Sequence, residues 1–252
     1  MDVMNLVESL IRWIHVIVGV LWIGLLYFFN WVNTAFAPTM DAETKKKVVP
    51  ELMPRALYWF RWGAAFTWIT GVLLLLMVYY HTKLVLAAPE QGFGGPALIG
   101  IAITFLMVFA YDFLYSGPLK NPQAGFWAGV VGAGVVLFVF DSFSGFSFRG
   151  YAIHLGAMFG TAMAFNVWFR IWPAQQKIIT AIKNGEAPDG ALVAVAGTRS
   201  KHNTYMSVPL LFTMISQHAI WAANPITLTI IVLVGFAMVN HIYARAAKVP
   251  GF

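Results

Sequence analysis

Apolar residues run through this sequence in continuous blocks, at about 7–31, 56–80, 96–116, 124–143, 149–172, 204–223 and 225–243. Each block is close to the roughly 20 residues that a helix needs to cross the hydrocarbon of a bilayer. Backbone groups must be satisfied internally there, so only helices or closed barrels can span it. Continuous runs, as opposed to alternating ones, select helices over barrel strands. The pattern predicts an all-α integral membrane bundle with about seven transmembrane helices, forming one domain over 1–252. Breaks at Gly94-Gly95-Pro96, Gly117-Pro118, Asn121-Pro122 and Asn224-Pro225 punctuate it. The last break turns one long apolar stretch into a tight helical hairpin. A polar stretch at about 173–203 is expected to be the main loop, with a short interfacial helix at 175–183, where Ile178, Ile179 and Ile182 alternate with Gln176, Lys177 and Lys183.

Composition agrees: 60% of the 252 residues are hydrophobic and 10% are charged. A soluble domain is about a quarter charged. The N-terminus carries Asp2 and Glu8 where a signal peptide would carry basic residues, so it is read as a retained first helix. Of the 16 Lys and Arg, twelve fall on the side opposite the N-terminus, three on the N-terminal side, and Arg61 inside a helix. Basic loops stay in the cytoplasm. The expected location is a bacterial inner membrane, multi-pass, with the N-terminus periplasmic and the C-terminus cytoplasmic. This asymmetry also accounts for the net charge of +6 without nucleic acid. The chain has no cysteine, which excludes disulfides, thiolate metal sites, iron–sulfur clusters and covalent c-type haem within it.

Ionisable groups inside a membrane are costly and usually face a protein interior. His15, His154 and His218 fall at similar depths towards the expected periplasmic face, and His202 and His241 towards the cytoplasmic one. Imidazoles from facing helices are the natural axial ligands of haem b. The outer pair is expected from His15, His154 and His218, with His202 and His241 as inner candidates, giving one or two haems. Gly156 and Gly160 follow His154 and could admit a haem edge or simply close helix packing. Arg61 could pair with Asp112. Alternatively Arg61, with Arg170 and Arg199, could hold haem propionates or a planar anionic substrate, since guanidinium forks suit such groups. Trp13, Trp31, Trp59, Trp62 and Trp172 lie near helix ends, as interfacial anchors do.

Several stretches carry a family resemblance. They are Trp13-Ile-His15-Val-Ile-Val-Gly19-Val-Leu-Trp22-Ile-Gly24, Ala56-Leu-Tyr-Trp59-Phe-Arg61-Trp62-Gly63, and His154-Leu-Gly-Ala-Met-Phe-Gly160 running on to Asn166-Val-Trp-Phe-Arg170-Ile-Trp172. A fourth is Arg199-Ser-Lys-His202-Asn203-Thr-Tyr205-Met-Ser-Val-Pro209, followed by His218. The chain resembles the membrane domain of the PuuD-type bacterial urate hydroxylase (urate oxidase) family. The resemblance implies oxidation of urate to 5-hydroxyisourate, with electrons passed to a cytochrome c. Many members of that family continue into a cytochrome carrying Cys-x-x-Cys-His. This sequence has none, so the expected partner is a separate cytochrome c or another redox subunit. Under this reading Arg61 and Arg199 orient the urate anion and His202 serves as general base. Two other functions compete: a b-type cytochrome subunit that only conducts electrons or anchors a larger respiratory complex, and a non-redox transporter or assembly protein.

Overall fold

The computed structural model describes residues 3–250. The long helices are α1 (Val3–Tyr27), α2 (Ala42–Leu74), α3 (Gly95–Ser116), α4 (Pro122–Phe138), α5 (Phe148–Phe165), α6 (Trp172–Asn184), α7 (Gly190–Ile215) and α8 (Pro225–Ala246). No strand occurs among the described residues. Six helical segments are long and apolar enough to cross a membrane: Val3–Thr39, Ala42–Tyr80, Gly95–Ser116, Pro122–Phe143, Phe148–Asn184 and Pro225–Ala246. With α7, a 26-residue helix outside that set, the described residues hold seven long helical segments, six of which meet the requirement for a span.

Local chemistry sets the ends. Asp41 caps α2, as short acceptor side chains do at helix N-termini. It accepts from the Thr44 backbone N–H at 2.8 Å and from the Thr44 hydroxyl at 3.1 Å. These bonds hold the Asp41 carboxyl below its ordinary range. Asn121 accepts from the N–H groups of Gln123 and Ala124 at the head of α4, where Pro122 occupies the first turn. Asn224 does the same for α8 through Ile226. Gly185, at φ 80°, closes α6, with its own N–H on Ile182 O and that of Glu186 on Ala181 O. Glycine is the usual residue at such a left-handed helix end.

Two boundaries differ from the sequence expectation. First, α2 starts at Ala42, well before 56, because the Asp41 cap starts the helix at the Lys45–Lys47 run. Second, the polar stretch at 173–203 is helical except around 185–189. There α6 packs on α7 through Ala174, Ile178 and Ala196, flanked by Ile182 and Leu192. α7 then ends at Ile215, where the Gln217 side-chain amide donates to Thr213 O and satisfies one carbonyl of the final turn.

Four of the long helices change pitch at their C-terminal ends. π-turns occupy Phe28–Asn33 after α1, Leu75–Tyr80 after α2, Val139–Phe143 after α4 and Asn166–Ile171 between α5 and α6. The most apolar window of Phe148–Asn184 is 67% buried, against 17–33% for the other five spans, so α5 is the helix most enclosed by protein.

The chain divides into two compact units. The first comprises Met1–Ile11, Gly71–Ala162 and Met206–Met238; the second comprises Arg12–Thr70, Met163–Tyr205 and Val239–Phe252.

Candidate functional site

In the first unit the buried chemistry centres on His154, which is 0% exposed. α5 places it four residues after Gly150, so its Nδ1–H donates back to Gly150 O at 2.7 Å. That fixes the tautomer and leaves Nε2 as an acceptor. Tyr80, the last residue of its π-turn, donates its hydroxyl to Nε2 at 2.9 Å. Rings wall the imidazole: Phe146 at 4.5 Å between centroids, Tyr80 at 5.7 Å and Phe140 at 6.0 Å. Gly150 is required by close approach, because a Cβ there would lie 2.2 Å from Val85 O. The small residues after His154 serve helix packing: a Cβ on Gly156 would meet Thr213 Oγ1 of α7 at 2.4 Å, and one on Gly160 would meet Leu210 at 3.5 Å.

In the second unit the polar core lies along one face of α7. Arg199 is 3% exposed and Asn203 and Thr204 are 0% exposed, with His202 half-buried beside them. Asn203 accepts from Asn166 Nδ2 at 2.8 Å and donates to Met163 O at 3.0 Å. Asn30, in the π-turn after α1, donates to Ser200 Oγ at 2.8 Å and to Leu26 O at 2.9 Å. Its Oδ1 accepts from the Tyr243 hydroxyl of α8 at 2.8 Å, and Thr204 Oγ1 lies 3.3 Å from the same hydroxyl. Lys201 sits over the Tyr243 ring at 5.0 Å. These buried amide and hydroxyl groups bond to one another, as the low dielectric favours.

Arg61 of α2 has a different setting. Its guanidinium carbon lies 4.0 Å from the centroid of Trp172, 5.7 Å from Tyr58 and 5.8 Å from Trp168. Trp168 Nε1 donates to Arg61 O at 3.1 Å. The Arg61 Nε–H is buried with no hydrogen-bond acceptor among the described residues. Asp112, the partner considered from sequence, belongs to the first unit and Arg61 to the second.

The five histidines expected at a haem are not gathered into one unit. His154 and His218 belong to the first, and His15, His202 and His241 to the second. His218 lies in the turn beyond the end of α7 and is exposed; His241 is exposed on α8. His154 does not fit an axial ligand as it stands, since both ring nitrogens are spent and the ring is enclosed. His15 does fit. Thr70 gives its own proton to Phe66 O at 2.6 Å, so Thr70 Oγ1 accepts from His15 Nδ1–H at 2.9 Å. The lone pair is left on Nε2, the arrangement common in ligating histidines. Among the described residues no group of three or more His, Cys, Asp or Glu is arranged to hold a metal ion.

Sequence reasoning passed over Asn30, Tyr80, Ser200 and Tyr243. Asn30 alone carried a usable signal, as an amide inside an apolar run. The others depend on contacts between distant helices.

Comparison with curated proteins returned no match, and neither did comparison with solved structures. The family described as Urate oxidase N-terminal matches residues 41–249, a span containing His154, Arg199, His202, Asn203 and Tyr243. With a match over most of its length, this multi-pass membrane chain belongs to the urate oxidase N-terminal family.

Proposed function

We propose that the protein oxidises urate to 5-hydroxyisourate at the polar face of α7 and hands the electrons to a cytochrome c-class acceptor. The half-reaction balances as urate plus water giving 5-hydroxyisourate, two protons and two electrons. The observation that carries this reading is the burial of Arg199 and Asn203, with His202 half-buried between them, within a urate oxidase family match. Arg199 is nearly excluded from solvent, and a guanidinium offers planar paired donors suited to the oxygens of a planar anion. His202 lies three residues on, in the same turn, and takes a proton as the substrate is oxidised. Asn203, held between Asn166 and Met163 O, keeps that turn of α7 fixed and acts as a positioning residue. We assign Arg61 no part in this chemistry.

Haem b is proposed as the resident redox group, and His15, with Nδ1 held by Thr70, is the residue that would hold it through Nε2. When bound it would supply one-electron storage between a two-electron substrate and a one-electron acceptor. The charge asymmetry supports a bacterial inner membrane, with the Arg199 end of α7 towards the cytoplasm.

The test is turnover by purified protein in detergent. Loss of urate's near-ultraviolet absorbance should accompany reduction of added cytochrome c, and both should fall at least about tenfold in Arg199→Gln, the loss expected when a charge-assisted hydrogen bond is removed. A protein that shows a reducible haem spectrum but leaves urate untouched would instead be an electron-conducting b-type cytochrome.

A further inference from the structure

A groove of about 550 Å³ runs along the first half of α2, lined by Pro50, Glu51, Pro54, Arg55, Tyr58 and Trp59. Pro50 and Pro54 are four residues apart and Arg61 is seven beyond Pro54, so all three share one helical face. Side chains on a helix lean towards its N-terminus. The Arg61 guanidinium lies 5.7 Å from the ring of Tyr58, which also lines the groove. We propose that this groove binds an anionic membrane phospholipid, with Arg61 addressing the phosphate.

Three observations carry the assignment. The first is Arg61's missing acceptor. Trp172, Trp168 and Tyr58 give the guanidinium faces to stack on, but rings accept hydrogen bonds poorly, and the buried Nε–H has no oxygen to donate to. A phosphate oxygen would complete it. The second is charge. The acid of the groove, Glu51, is neutralised by Arg55 at 2.7 Å, so the lining itself is neutral and Arg61, next to Tyr58, adds a positive charge. The Lys45–Lys47 run lies further towards the N-terminus of the same helix. Basic residues flanking a span attract anionic lipid at the cytoplasmic leaflet. The third is setting. Tyr58 is 46% exposed and Trp59 is 57% exposed on a membrane-crossing helix. That is the condition of aromatics placed at the headgroup level. A groove open to the lipid and edged by such rings suits a lipid better than a soluble anion.

The experiment uses the full chain, purified in detergent and stripped of lipid, with no urate present, so that its outcome is independent of the catalytic reading. Binding of phosphatidylglycerol, phosphatidylcholine and inorganic phosphate is followed by native mass spectrometry and by the unfolding midpoint. Phosphatidylglycerol should bind and raise the midpoint; phosphatidylcholine and phosphate should not. Arg61→Gln should weaken phosphatidylglycerol binding about tenfold or more, the loss of a charge-assisted hydrogen bond. Trp59→Leu, a change on an exposed face, should weaken it while leaving the lipid-free midpoint in place, which keeps the test open if the Arg61 variant does not fold. Equal binding of phosphatidylcholine, an equal effect of inorganic phosphate, or unchanged phosphatidylglycerol affinity in the variant that folds would overturn the proposal.

Discussion

Tyr80→Phe is the sharpest probe of the His154 site. The substitution removes one hydroxyl and leaves ring and backbone unchanged. Nε2 of a side chain that is 0% exposed then has no donor, because its neighbours are the rings of Phe140 and Phe146. Stranding a buried polar atom costs about 1–3 kcal/mol. For a chain of this size each kcal/mol lowers the unfolding midpoint by about 2–4 °C. His154→Leu carries its own cost by stranding the Tyr80 hydroxyl; Gly150 O keeps the backbone N–H of residue 154 within α5. The double variant Tyr80→Phe/His154→Leu removes both ends of the shared bond, so its cost should fall short of the sum of the singles by about 1 kcal/mol or more. Thermal unfolding of the four proteins in one detergent measures this coupling. Strictly additive costs would refute the reasoning. So would loss of a haem band in Tyr80→Phe or His154→Gln, since that would show iron, and not the tyrosine, holding Nε2.

Gly150→Ala should abolish folding or strongly reduce yield, because its Cβ would fall 2.2 Å from Val85 O, and backbone cannot yield as a flexible side chain would; expression and size-exclusion profile report it. Tyr243→Phe removes the hydroxyl shared by Asn30 and Thr204. It should lower stability, read from the unfolding midpoint, by about 1 kcal/mol, a typical buried hydrogen bond. Asp41 has a lowered folded pKa, so its contribution is full above the ordinary carboxylate value and is lost as pH falls through the folded one. Asp41→Asn keeps a capping oxygen but cannot titrate, so it should flatten the acid limb of the stability profile, measured by unfolding from pH 5 downwards. If His15 ligates iron, His15→Ala should lose haem absorbance while the helical circular dichroism persists.

Much of the architecture was legible because bilayer solvation acts on composition alone. Helix number, the Asn121-Pro122 and Asn224-Pro225 breaks, and the amphipathic α6 follow from apolar runs and local capping chemistry. The starts of α2 and α7 were less visible. The first part of α2 carries the Lys45–Lys47 run, and Arg199–His202 interrupts α7 after a short apolar start at 190–196, and hydropathy cannot distinguish a polar stretch of helix from a loop. The site was partly legible. Arg199 and His202 stood out as charges beside an apolar run, and Asn166 as an amide within one. The surroundings of two of the histidines depend on partners that the sequence pattern does not show: Tyr80 bonds the Nε2 of His154, and Gln217 helps end α7 before His218. The π-turns that carry Asn30, Tyr80 and Asn166 leave no mark in a hydropathy pattern, since each adds only one residue to a turn.

α7 is the long helix that fails the hydropathy test applied to the other spans. Arginine at the centre of an inserting helix costs about 2.5–3.5 kcal/mol on translocon scales. To Arg199, α7 adds Lys201, His202 and Asn203. Alone, this segment would stay in the translocon or slip back to water. Its amides and hydroxyls find their counterparts on Asn30 and Asn166, both synthesised earlier, and on Tyr243, synthesised later. α7 is therefore expected to insert by docking onto the π-turns that carry Asn30 and Asn166, already made when it emerges, so replacing those two amides with alanine should reduce its insertion.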